Sequence, residues 1–150
     1  MKSKRIIGLL AGLLVVGATA SAAQKTAFEV TKGKALELHR SLIGYAAPQV
    51  KAKIAASAQA AKDYLANCGR ECDLHAFLAK DLKARFARTT GEQFQLLEAL
   101  VFAEAFKDMS ELDQMRLQDT MERQAQLMQL MSNISKMVHD TLKGIIQNMR

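Results

Sequence analysis

The chain predicts an all-α fold of helical hairpins closed by a long C-terminal amphipathic helix. Three observations carry this. Apolar residues recur at three- and four-residue spacing and do not alternate. Beyond residue 22 there are five glycines and a single proline, Pro48, among abundant Ala, Leu, Met, Gln, Lys and Glu, the good helix formers. The last 41 residues contain no proline and one glycine, Gly144, so nothing local ends a helix there.

The first 22 residues read as a signal peptide. Lys2, Lys4 and Arg5 form a positive start, residues 6–18 an apolar run, and Ala20-Ser21-Ala22 a small-x-small cleavage site. The apolar run is short for a membrane span, and an uncleaved anchor is the alternative to cleavage. The expected location is therefore the periplasm, the secreted medium or the cell surface.

The punctuation of residues 23–150 divides them into about five helices. Thr26 with Glu29 is a candidate capping box for a helix ending near Gly44. Pro48 suits the first turn of the next helix, which stops at Asn67 and Gly69 and carries a stripe of Val50, Ile54, Ser57, Ala61 and Leu65. Asp73 can cap a third helix with Leu74, Leu78, Leu82 and Phe86 on one face. Thr90 with Gln93 is a second capping box, opening a helix whose face is Phe94, Leu97 and Val101. Ser110 with Asp113 opens the last helix, which would reach roughly 60 Å if unbroken. Three regions follow: residues 1–22, a basic region over 23–90, and a helical hairpin over 91–150.

On the last helix Leu117, Met121, Gln124, Met128, Met131, Ser135, Val138, Leu142, Ile145 and Met149 step by threes and fours, close to a heptad seam. Leu127, Leu130, Ile134, Met137 and Ile146 widen it. A stripe that wide on so long a helix predicts a self-association or partner face built from Leu117, Met121, Met128, Met131, Val138, Leu142, Ile145, Ile146 and Met149. Every methionine after the first lies at or beyond Met109, and every phenylalanine at or before Phe106.

The formal charge is +6, and cleavage would remove Lys2, Lys4 and Arg5, leaving +3. Residues 23–90 hold 12 basic and 6 acidic side chains, residues 91–150 hold 6 basic and 9 acidic. Such halves attract one another, within a molecule or between copies. No basic run or aromatic platform points to nucleic acid.

Cys68 and Cys72 are the only cysteines, between two helices, and an exported chain predicts that they form a disulfide. The C-x3-C spacing does not match a redox pair, and Cys68, Cys72 and His75 lack an evident fourth ligand for zinc. Met128 and Met131 are one turn apart and invite a copper reading, but thioethers at helical spacing are the usual material of adaptable packing. His39, His75 and His139 fall on separate helices and read as surface or boundary residues. No phosphate loop, nucleophile elbow or metalloprotease motif occurs. The expectation is a non-enzyme without cofactor or metal.

The closing segment reads Ser132-Asn133, then Lys136, Asp140, Ile145-Ile146-Gln147-Asn148, Met149 and Arg150. This spacing resembles the C-terminal helix of type III secretion needle proteins, with Met149 where that family usually has an aromatic. The resemblance extends loosely over residues 91–150 and specifically over the last 19. It implies a helical hairpin that polymerises, with Ser132, Asn133, Lys136, Asp140, Gln147, Asn148 and Arg150 as the family-motif positions. The 23–90 extension, the cysteine pair and the signal peptide are departures from it. The expected function is an exported, self-associating subunit of a bacterial secretion or surface assembly. Its partners would be further copies or other secretion-apparatus proteins, with membrane contact only through the signal peptide. The alternative is a soluble periplasmic adaptor or chaperone for apolar client segments.

Overall fold

A helix that is apolar on every side must find neighbours on every side, and this requirement organises the protein. The computed structural model describes residues 16–123, 129, 132, 136 and 139–150, with residues 16–27 described as backbone only. Among them every regular element is helical: α1 Val16–Leu42, α2 Pro48–Asn67, α3 Leu74–Arg85, α4 Gly91–Lys107, α5 Glu111–Arg123 and α6 His139–Asn148, with a 3-10 turn at Ile43–Tyr45. Helices α2 and α3, and α3 and α4, pack as consecutive hairpin pairs within this all-α fold. Helix α4 is the central one. From Leu96 to Phe106 only Glu104 escapes full burial, and α1, α2, α3 and α6 all pack against it.

The local signals explain most boundaries. Pro48 sits in the first turn of α2, and Gly69 follows its end with φ +64°, a backbone conformation that costs other residues. Asp73 caps α3 by accepting from the Ala76 N–H at 2.9 Å. Thr90 and Gln93 form the reciprocal capping box of α4, at 3.2 and 3.0 Å. Ser110 accepts from the Asp113 N–H at 3.2 Å where α5 begins. The stripes of α2 and α3 read from the sequence are all buried.

Small residues set the closest approach. Ala35 of α1 meets Ala99 and Ala103 of α4 in a cluster of its own, which lets two backbones draw together. Phe28 and Phe106 close the far end of this contact edge to face, 5.9 Å apart at 71°.

Two expectations are corrected. Thr26 does not cap a helix: α1 runs unbroken from Val16, across the expected cleavage site, to Leu42, because the Ala-rich residues upstream of Thr26 are themselves helix formers. The regions over 23–90 and 91–150 share one apolar core, which joins Phe28, Val50, Leu78, Leu100, Leu117 and Ile146. Residues 110–150 are not one rod: Lys136 lies in a turn, and α5 and α6 bury their apolar faces in that same core. Folding back gives both stripes protein to cover them, each buried Leu or Ile contributing about 1.5–3 kcal/mol.

Helix α6, ten residues long, is too short to be stable alone. It is held by Leu142, Ile146 and Met149, all buried, against α1, α4 and the 3-10 turn. Ile146→Ala is therefore expected to lower the unfolding free energy of a single molecule by about 2–4 kcal/mol. Urea denaturation at several protein concentrations would measure it; a loss that appears only at high concentration would place Ile146 in an interface between copies instead.

Candidate functional site

The α2–α3 turn is held by a disulfide and by tertiary hydrogen bonds. Cys68 and Cys72 form a disulfide with Cα atoms 5.2 Å apart. The Tyr64 hydroxyl accepts from the Asp73 N–H at 3.0 Å, and its ring stacks on Phe77 with centroids 4.3 Å apart and 8° between planes. The disulfide closes so short a loop that it contributes at most about 2 kcal/mol; its effect is to orient the hairpin. Helix α5 docks beside this turn: Arg123 Nη1 donates to the Arg70 carbonyl at 2.8 Å while pairing with Asp119. A cleft of about 110 Å³ lies between them, lined by Leu65, Gly69, Cys72, Arg116 and Thr120.

The residues expected to form an association face mostly lie elsewhere than expected. Leu117, Met121, Leu142, Ile146 and Met149 are buried in the chain's own core, and Ile145 packs partly against it. This corrects their assignment: one molecule already covers them, because α5 and α6 return to the bundle instead of projecting from it. Met128, Met131 and Val138 lie outside the described residues. The polar family-motif positions behave differently. Ser132, Lys136, Asp140, Gln147, Asn148 and Arg150 are all exposed, and Asn133 lies outside the described residues.

What α5 does leave in solvent is a separate apolar pair. Leu112 is 58% and Met115 66% exposed, one turn apart, on the side opposite the anchoring Leu117 and Met121. Lys32 Nζ donates to Gln114 Oε1 at 2.8 Å and ties α5 to α1. The pair is thus held on a fixed helix.

Two ionisable pairs, each with one buried member, have no signal in the sequence that pairs them. His39 is 6% exposed and its Nε2 lies 2.5 Å from Glu104 Oε2, so it is a core residue and not a surface one. Burial pushes its pKa below the ordinary histidine value, against the pull of Glu104. Glu98 is fully buried; Oε1 lies 2.8 Å from His75 Nδ1, while Oε2 has no hydrogen-bond partner within the protein. The Phe94 ring stands edge-on to His75 at 6.2 Å. Burial drives the Glu98 carboxyl up from the ordinary range, only partly opposed by His75. A visible signal for Glu98 was its position between Leu97 and Ala99 in the most apolar helix. His75, 23 residues away, could be matched to it only by the packing of α3 on α4.

Neither pair belongs to a larger ligand set: among the described residues no three His, Cys, Asp or Glu side chains could hold a metal ion. None of the described helices is long and apolar enough to cross a membrane. Comparison with protein-family models, curated proteins and solved structures finds no match to this chain.

The sign of the Glu98 effect can be tested. Its raised folded pKa favours the native state fully below about pH 4.5, and that contribution is lost as pH rises through the folded value. His39 acts in the opposite sense, costing stability as pH falls below about 6.5. Glu98→Gln is expected to melt higher than the parent at pH 7, the gap closing near pH 4. Thermal melts across that range check this, and parallel pH profiles for the two proteins would refute it.

Proposed function

We propose that this chain is an exported helical adaptor or chaperone that holds an apolar segment of a partner protein against the outer face of α5. The observation that carries this reading is the exposed Leu112–Met115 pair on a helix whose opposite face is anchored in the core. Its apolar side chains stay in water at a cost unless something covers them, and thioethers accommodate varied partners. Export is inferred from the residue 1–22 pattern, and the Cys68–Cys72 bridge is consistent with an oxidising compartment. The arrangement requires no chemistry of the chain's own side chains. Purified chain is expected to slow the aggregation of an unfolded client protein at near-equal concentration, followed by light scattering. The double variant Leu112→Asp, Met115→Asp should lose most of that protection while keeping its helical circular dichroism. Undiminished protection by the variant would exclude this face.

A second reading is favoured by a different observation, the exposure of the described family-motif positions. Here the chain is a subunit of a secretion or surface assembly, and copies meet through the polar side of α6, Asp140, Gln147 and Asn148, instead of its apolar stripe. This reading expects concentration-dependent oligomers or filaments in light scattering and electron microscopy. A chain that stays single-copy at the highest attainable concentration would rule it out.

A further inference from the structure

A larger cleft, about 500 Å³, opens between α2, the α3–α4 loop and the last residues of the chain. Four cations line it, Lys53, Arg85, Arg88 and Arg150, and no aspartate or glutamate does. Arg85 is already engaged, with Nε 2.9 Å from Asp81 Oδ2, a carboxylate oxygen that also accepts from the Ser57 hydroxyl at 2.7 Å. The other three have no carboxylate partner among the described residues. Lys53 is held in place without being neutralised, its Nζ 5.0 Å from the centroid of the Phe86 ring. The floor is apolar, formed by Phe86 and Met149, both buried. Gln93 also lines the cleft; its Oε1 accepts from the Thr90 N–H, which leaves its amide NH2 as a donor.

Three cationic side chains without a side-chain carboxylate partner among the described residues face one cleft, from α2, the α3–α4 loop and the last residues, and a singly charged ligand would offset only one of them. A phosphate group carries about −1.5 to −2 at pH 7 and offers three strong acceptor oxygens, matching arginine forks and a lysine point charge together. The volume suits a small organic ligand, and the Phe86–Met149 floor suits an apolar portion beside the charge. We propose that this cleft binds a phosphate-bearing ligand with an apolar part. The phosphate lies among Lys53, Arg88 and Arg150, and the apolar part covers Phe86 and Met149. A soluble organophosphate and the headgroup of an anionic phospholipid share this chemistry. The proposal is independent of the α5 face, which lies on other residues.

The test titrates the purified, isotope-labelled chain with octyl phosphate and with inorganic phosphate, following backbone amide shifts. Octyl phosphate is expected to move Thr89, Gln93 and Asn148 most and to bind more tightly than inorganic phosphate. The double variant Lys53→Gln, Arg88→Gln should weaken binding at least about tenfold. Arg70→Gln, which removes an exposed cation at the disulfide turn, should leave it unchanged. Co-sedimentation with phosphatidylglycerol vesicles, against phosphatidylcholine vesicles as reference, separates the sources. Retention on the anionic vesicles that the double variant loses identifies the headgroup; binding of octyl phosphate without retention identifies a soluble ligand. Absence of both kinds of binding, or equal weakening by Arg70→Gln, would overturn the proposal.

Discussion

Burial of α4 on all sides is the constraint on which the rest of this structure depends. Ten of its seventeen residues are buried, far more than one hairpin partner could cover. Helices α1, α2 and α3 surround it, and α6 is recruited from the far end of the chain to complete the enclosure. The same burial forces Glu98 into the core with one oxygen lacking a partner in the protein. Burying such a carboxylate costs free energy, so a helix with ten buried residues also carries a costly group. A half-exposed histidine on α3 partly offsets that cost.

The C-terminal third changes meaning once this is recognised. An apolar stripe on an isolated rod invites further copies; its described residues on α5 and α6, Leu117, Met121, Leu142 and Ile146, are covered within one molecule. Among the described residues the surface left for partners is Leu112 and Met115 on the outer side of α5, the polar positions of α6, and a cationic cleft beside the last residues. The disulfide at Cys68–Cys72 and the Arg123–Arg70 contact fix the α2–α3 turn against α5. The presented face of α5 therefore rests on a braced support.

Much of the secondary structure was legible because its signals are local. Pro48 and Gly69 around α2, Asp73 before α3 and the Thr90–Gln93 box before α4 each act within one turn, and the structure realises each of them. Thr26 misled because a capping residue caps only if the chain before it is not helical, and here Ala-rich sequence precedes it. The face assigned to α4, Phe94, Leu97 and Val101, was correct but too narrow. Periodicity finds an apolar stripe more readily than a helix with little polar surface at all.

The sequence alone determined the helical class, the stops between most helices and the cysteine pair, since these depend on propensity and on neighbours a few residues apart. Tertiary structure alone decided that the terminal apolar residues face inward, that Glu98 meets His75, and that Lys53, Arg88 and Arg150 line one cleft. Those are juxtapositions of residues far apart in the chain. They arise from which helix covers which, and that is settled by the total apolar area removed from water, a quantity no single segment carries.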